Sequence, residues 1–181
     1  MDNKIAYIWF NGPSAVPLHN IPQHDLEIGC NFILKHRRVN HVCAYDQQVI
    51  DQIKKKIGFD PDVQYWTRRN YATDKFKTFD VSNLKKINTL GFDSGTLAIN
   101  LALYLDCTAI YLFGFDWHLT NESIYDKKYV WRNGMKPIKF TAQKKDFLEQ
   151  VGEKIQLNIV HDQVREKYAN VNWIPTKDFT P

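Results

Sequence analysis

Apolar and polar positions are grouped along the chain in blocks that alternate between strand-like and helix-like patterns. Short apolar runs are typical of strands buried on both faces, and they occupy residues 4–10, 27–32, 41–46, 63–67, 109–113, 157–160 and 171–174. Apolar residues at helical spacing predict helices over residues 47–57, 94–105, 141–154 and 162–168. Strands that alternate with helices predict a Rossmann-like α/β fold, which is a three-layer sandwich with a mostly parallel sheet.

Two stretches interrupt this pattern. The length of 181 residues and the 44% share of apolar residues predict a single α/β domain over residues 1–181 with its own core. Residues 68–88 are polar and irregular, which predicts an excursion from the fold. Residues 119–140 are rich in Tyr, Trp and Lys, which predicts a lid-like insertion.

Charge and cysteine content narrow the classes of partner. The net charge is +4, which suits an anionic small ligand, and the basic residues are too scattered to predict a nucleic-acid partner, although one is not excluded. No apolar run approaches the ~18 residues of a membrane span, so we expect a cytoplasmic protein without membrane contact. Cys30, Cys43 and Cys107 lie far apart in apolar surroundings, which predicts buried free thiols and no zinc site.

Polar residues follow the first three predicted strands at the points where the strands end. They are Asn11, Gly12 and Ser14, then Asn31, then Tyr45 and Asp46. Ligands bind beside the carboxyl ends of strands in open α/β sheets, and Asn side chains suit a base or a ribose. Each segment alone is also typical of a plain turn, and its recurrence after successive strands favours a ligand site.

The helix that begins near residue 94 adds a candidate anion site. Ser94, Gly95 and Thr96 lie in its first turn, where free N–H groups and the helix dipole favour a phosphate. A helix cap without any ligand explains the same triplet.

An acid and a histidine follow the buried strand at residues 109–113. Asp116 and His118 are candidates for an acid/base pair. The structural alternative is that Asp116 caps the next turn and His118 packs against Trp117. The other histidines lack partners at ligand spacing, which predicts packing in the core or at the surface; they are His19, His24, His36, His41 and His161.

The insertion carries an aromatic and basic cluster, which consists of Tyr125, Tyr129, Trp131 and Arg132. Such side chains stack on bases or bind phosphates, and loop packing explains them equally well. Several familiar signatures are absent: the sequence has no GxxxxGK[ST], GxGxxG, GxSxG or HExxH. A P-loop enzyme and an ordinary dinucleotide fold are therefore not predicted.

Three segments together carry a family resemblance. Residues 8–14 (IWFNGPS) resemble the phosphate-side turn after the first strand of bacterial sialyltransferases of the Campylobacter type and of the related 6-hydroxymethylpterin diphosphokinase-like proteins. Residues 30–32 (CNF) resemble the second-strand element of these proteins. The most specific match is Ser94-Gly95-Thr96 with its Ala-rich helix, followed by residues 110–116 (IYLFGFD).

The resemblance implies a Rossmann-like sheet that binds a nucleotide at its carboxyl edge. By match, the residues that hold the nucleotide would be Asn11, Gly12, Ser14, Asn31, Ser94, Gly95 and Thr96. Tyr125 and Tyr129 lie where the lid tyrosines of the sialyltransferases stabilise the departing phosphate. The histidine that serves those enzymes as general base has no counterpart, since residues 139–149 contain none. Asp116 or His118 would take its place.

Three functions follow as hypotheses. The first is a small glycosyltransferase of the sialyltransferase-like type, which uses a nucleotide or nucleotide-sugar donor and an acceptor that the sequence does not specify. The second is a pyrophosphokinase-like enzyme that uses ATP and Mg²⁺, held by Asp46, Asp93 and Asp116. The third is a non-catalytic module that binds or sequesters a nucleotide. Only the second requires a metal cofactor, and the aromatic residues of the insertion are compatible with a homo-oligomer.

Overall fold

The strands form one eight-stranded sheet in which every neighbouring pair is parallel. The structure is a computed structural model, and it describes residues 3–79, 93–116, 137–164 and 166–181. The strand order is β5-β4-β3-β2-β1-β6-β7-β8. The strands are β1 (Ile5–Trp9), β2 (Glu27–Cys30), β3 (His41–Cys43), β4 (Gln64–Trp66), β5 (Phe76–Lys77), β6 (Ala109–Phe113), β7 (Gln156–Val160) and β8 (Val171–Ile174). The predicted Rossmann-like α/β fold is confirmed.

Helices cover both faces of the sheet. They are α1 (Gln47–Gln52), which continues as a π-helical turn over Ile53–Ile57, α2 (Ser94–Tyr104) and α3 (Pro137–Gly152). Ala6 and Ile8 of β1 belong to the core under α2 and α3. Tyr7 and Trp9 point to the opposite face and belong to the core under α1. Alternate residues of one strand thus bury both faces, as expected for a sheet with helices on each side.

Some boundaries differ from the prediction. The second strand ends at Cys30 because Asn31 has a φ of 55°, in the left-handed region. A fifth strand, β5, lies in the stretch at residues 68–88 that the sequence predicts to be irregular, since Phe76 is completely buried and Thr67 N–H donates to Lys77 O at 2.9 Å. α3 begins at Pro137, which a first helical turn tolerates. The helix predicted from residue 141 therefore begins four residues earlier, and the last residues of the predicted insertion are helical.

The helix predicted at residues 162–168 is absent from the described part of that segment. After β7 the backbone stays extended, because His161 N–H donates to Ile174 O at 2.9 Å beside β8. The N–H of Gln163 then donates to the side chain of His161 at 2.8 Å, and Asp162 Oδ1 accepts the N–H of Thr176 at 2.7 Å. Side-chain hydrogen bonds replace the helical ones here.

The three cysteines are buried free thiols, as predicted. Cys30 and Cys43 lie at paired positions of β2 and β3. No helix in the described segments has the length and apolar character of a membrane span.

Candidate functional site

The order in which strands are added to the sheet reverses between β1 and β6, which are neighbours. From β1, the strands β2 to β5 extend to one side, and β6 to β8 extend to the other. Such a reversal opens a crevice at the carboxyl edge, where open α/β folds bind ligands. Two loops border it: residues 11–14 after β1 and residues 114–116 after β6.

Two glycines allow these loops to touch. Gly12 N–H donates to Gly114 O at 3.0 Å. Gly114 has a φ of 70°, a conformation that favours glycine. A Cβ on Gly12 would overlap Asp116 Oδ2 and Gly114 O. The loop after β6 therefore makes the close approach that the missing side chain of Gly12 permits.

Asp116 joins three strands at this edge. It is only 3% exposed. One carboxylate oxygen, Oδ2, accepts the backbone N–H of Ser14 at 2.7 Å, and the other, Oδ1, lies 2.5 Å from His161 Nε2. His161 Nδ1 accepts the N–H of Gln163 at 2.8 Å, so Nε2 is the nitrogen that carries the proton and donates to Asp116.

These contacts determine the charge of Asp116. Burial alone would raise the pKa of its carboxyl, but the hydrogen bonds from His161 and Ser14 outweigh burial and hold the pKa below its usual value. Asp116 is therefore an anion at neutral pH with both oxygens engaged. A carboxylate in this state is a weak base, and it suits a role in fixing the loop after β1.

His161 is buried, as the sequence predicts for a histidine that packs in the core, but it also has a partner that the sequence does not indicate, Asp116. His161 follows β7 directly, and β7 pairs with β6. Asn11 and Asn31 are candidates because each is a polar residue just past a buried strand. The same pattern applies to His161. The missing information was which strands are neighbours.

Asn31 and Ser94 meet beside the crevice. Ser94 Oγ donates to Asn31 Oδ1 at 2.7 Å and accepts the N–H of Tyr45 at 3.0 Å. Asn11 and Asn31 each lie two residues beyond a paired position, since Trp9 pairs with Gly29. The ends of β1, β2 and β3 and the beginning of α2 therefore converge, as the sequence predicts for parallel strands.

The beginning of α2 holds a carboxylate of the chain itself. Asp93 Oδ1 accepts the N–H of Thr96 at 2.8 Å, in a capping box. Its other oxygen, Oδ2, lies 2.5 Å from the ammonium of Lys144 in α3. Burial raises the pKa of Asp93, but Lys144 and Thr96 together lower it below its usual value. A Cβ on Gly95 would overlap the ring of Phe10, so Gly95 is required for packing of α2 on the loop after β1.

Asn11 has an unused acceptor. Its Oδ1 is buried and has no hydrogen-bond partner among the residues that the structure describes. A buried acceptor without a partner costs about 1–3 kcal/mol. Asn11 Oδ1 is therefore a candidate contact for a ligand donor such as a ribose hydroxyl or a base amino group.

Three side chains at the carboxyl ends of β3 and β4 extend the candidate site: Tyr45, Arg68 and Tyr71. Arg68 lies over the rings of Tyr45 and Tyr71, 4.9 Å and 3.9 Å from their centroids. Sequence reasoning missed Arg68 and Tyr71, because it treated residues 68–88 as irregular. Arg68 follows β4 by two residues and carries the same strand-end signal as Asn31.

Asp46, which follows β3, is exposed. Desolvation raises its pKa; Arg68 lowers it and Asp93 raises it further, with a net upward shift. Asp46, Asp93 and Asp116 do not form a metal site: over the described ranges, no group of three or more His, Cys, Asp or Glu side chains could hold a metal ion.

Other candidates cannot be placed. His118, Tyr125, Tyr129, Trp131 and Arg132 lie outside the described residues. A cavity of about 760 Å³ occurs at the amino edge of the sheet, lined by residues 34–38 and 57–61, which precede β3 and β4. It shares no residue with the carboxyl-edge site.

In a comparison with known proteins, no protein-family model, no curated protein and no solved structure matches this chain.

Proposed function

We propose that the chain is a transferase that binds a nucleotide-activated donor at the carboxyl edge of its sheet, as a small glycosyltransferase of the sialyltransferase-like type. The observation that carries the proposal is the convergence of Asn11, Asn31 and Ser94 beside the strand reversal. These groups offer donors and acceptors for a base and a ribose. The same residues carry the family resemblance.

Asp116 has a positioning role in this proposal. Its two hydrogen bonds hold the loop after β1 against β6 and β7, which fixes Asn11 and Ser14 relative to the donor. The base that removes the acceptor proton is then His118, and Tyr125 and Tyr129 stabilise charge on the departing phosphate.

One observation favours a second candidate, the non-catalytic module. Within the part of the chain that the structure describes, the carboxylate of Asp116 and both ring nitrogens of His161 are engaged in hydrogen bonds. Both groups are therefore used in structural contacts, and neither is assigned as the general base. Nucleotide binding without transfer or hydrolysis of the donor would support this candidate.

The first experiment is a thermal-shift screen with CMP, UMP, GDP, ATP, CMP-sialic acid and UDP-sugars, each with and without Mg²⁺. A ligand that binds only the folded state raises the melting temperature. We expect a metal-independent shift with a nucleotide or nucleotide-sugar. A shift with ATP that requires Mg²⁺ would support the pyrophosphokinase hypothesis, and no shift with any probe would contradict nucleotide binding.

Two variants locate the binding site. Asn11→Ala removes the unused acceptor, and Asn31→Gly removes the amide while it keeps a residue that tolerates a positive φ. Each should weaken nucleotide binding about tenfold or more and leave the fold intact. The matched control is Asn20→Ala, since Asn20 is exposed. Unchanged affinity in both site variants would place the nucleotide elsewhere.

A further inference from the structure

We propose that Arg68 binds the phosphate of the donor nucleotide, with Tyr45 and Tyr71 as the aromatic rings that hold its guanidinium. The inference rests on the proposed function, because it places the phosphate of that donor at the ends of β3 and β4. It adds a binding residue that is not among the site residues predicted from the sequence or implied by the family resemblance.

The sheet sets the position of Arg68. Cys43 pairs with Trp66, so Tyr45 and Arg68 lie at equivalent positions, two residues beyond neighbouring strands. Tyr71 N–H then donates to Arg68 O at 2.9 Å in a tight turn. This turn brings the ring of Tyr71 back beneath the arginine.

The two rings restrict the guanidinium. It lies 4.9 Å from the centroid of Tyr45 and 3.9 Å from that of Tyr71, within the range of cation–π attraction. Arg68 Nη2 also donates to the hydroxyl of Tyr71. A preorganised guanidinium loses less conformational entropy when it binds an anion.

Arg68 keeps its charge for a ligand, since the side chains that it hydrogen-bonds are the neutral hydroxyls of Tyr45 and Tyr71. Across the described ranges it forms no ion pair with a carboxylate, and its buried Nε has no hydrogen-bond partner. A guanidinium has five N–H donors in a fork that matches phosphate oxygens. A guanidinium that is held in place and has no carboxylate partner is suited to bind a phosphate.

Hydrogen bonds connect Arg68 to the rest of the candidate site. Tyr45, on whose ring it lies, donates its backbone N–H to Ser94 Oγ at 3.0 Å, and Ser94 Oγ donates to Asn31 at 2.7 Å. Asn31 and Ser94 would therefore contact the nucleoside, and Arg68 the phosphate. At the beginning of α2 the carboxylate of Asp93 already occupies the cap position and pairs with Lys144, so we place the phosphate at Arg68 instead.

The test compares nucleoside monophosphates with the matching nucleosides: CMP and cytidine, UMP and uridine, AMP and adenosine, GMP and guanosine. Dissociation constants are measured by calorimetry on the full chain and on Arg68→Gln, Arg68→Lys and Arg69→Gln. Arg69 is the matched control, since it is the next residue and is exposed. Melting temperatures establish that each variant is folded.

We expect Arg68→Gln to weaken the bound monophosphate about tenfold or more and to leave the nucleoside unchanged. Arg68→Lys keeps the charge but loses the fork, so its loss should be smaller, and Arg69→Gln should match the parent chain. If the parent binds a monophosphate and Arg68→Gln binds it equally well, the role of Arg68 is refuted and the proposed function stands. If the parent binds no monophosphate, the role of Arg68 is refuted, and the proposed function is then decided by the nucleotide-sugars in the thermal-shift screen. An equal loss for monophosphate and nucleoside would also contradict a phosphate contact.

Discussion

Two arginines stack on aromatic rings, and they differ in how their hydrogen-bond donors are used. Arg37 lies 4.4 Å from the ring of Trp9. It donates to both carboxylate oxygens of Glu27, at 2.6 and 2.5 Å, and to three backbone carbonyls within residues 19–22. Arg68, at the carboxyl edge, is held by rings in the same way but has no carboxylate partner in the described structure.

The difference separates a structural arginine from a candidate binding residue. All N–H donors of the Arg37 side chain are hydrogen-bonded within the protein, and its charge is neutralised by Glu27, which is completely buried. Arg68 has the same aromatic support, but within the described residues no carboxylate forms an ion pair with it, and Asp46 acts on it only from a longer distance. Stacking therefore does not by itself indicate a ligand site; the informative observation is which donors remain open.

The largest expected effect comes from Arg37→Gln. The change leaves Glu27 buried without its cation, and breaking a buried pair from one side costs about 3–5 kcal/mol. Urea unfolding should show this loss. The same substitution at Arg68 should change the urea midpoint little. The comparison fails if the two variants lose equal stability.

A titration tests the amino edge next. Burial, together with Lys4 and Lys77, lowers the pKa of His41 from 6.5 to about 4, and neutral His41 Nδ1 accepts the indole N–H of Trp66 at 3.1 Å. The unfolded chain takes up this proton below pH 6.5, and the folded chain only near pH 4. Stability should therefore fall between pH 6.5 and 4, by about 1–2 kcal/mol, since the partial exposure of His41 screens part of the effect.

The control for this titration is His41→Gln, measured by urea unfolding at pH 7, 6, 5 and 4.5. Its stability should change less over the same range, because no imidazole is left to protonate. A parallel pH dependence in parent and variant would assign the effect to other groups. The lowered pKa values of Asp93 and Asp116 affect stability only below the pH range in which carboxyl groups usually titrate. Their contribution to the free energy of unfolding is lost as the pH falls toward the pKa values of the folded state.

A smaller loss of stability is expected from a substitution at Asp116. Both of its carboxylate oxygens accept hydrogen bonds within the protein, just as all donors of Arg37 are hydrogen-bonded. Asp116→Asn keeps the shape but turns an N–H₂ group toward one of two donors, Ser14 N–H or His161 Nε2–H. The loss should be about 1–3 kcal/mol of unfolding free energy, with weaker nucleotide binding. The exposed Asp74→Asn is the control, and an unchanged melting temperature in both would contradict the assignment.

The smallest effect is expected at a third arginine. Arg38 pairs with Asp62 at 2.8 Å, but both side chains are largely exposed, at 64% and 70%. Exposed pairs contribute about 0–1 kcal/mol. Arg38→Gln should therefore lie close to the parent in urea unfolding, and a loss as large as that of Arg37→Gln would show that burial does not set the difference.

The sequence predicts those parts of the fold that follow from local pattern. The apolar runs give seven of the eight strands, and the polar residues after them, such as Asn11 and Asn31, mark the carboxyl edge. β5 escapes the pattern because it has only two residues, of which Phe76 alone is buried.

Contacts between distant residues could not be predicted in this way. Asp116 and His161 are 45 positions apart, and Glu27 and Arg37 meet only because β2 and the turn after it fold back over Trp9. Arg68 becomes informative only when β3 and β4 are known to be neighbours. Each depends on the strand order, which hydrophobic periodicity does not specify.

The burial of all three cysteines has a practical consequence for measuring ligand occupancy. Burial raises the pKa of Cys30, Cys43 and Cys107, that of Cys107 to about 11, so these thiols react slowly with maleimides. A cysteine introduced at exposed Arg69 would therefore be the preferred attachment point for a fluorophore. Beside the Tyr45–Arg68–Tyr71 stack, such a dye would respond to an arriving anion without any change to the native thiols.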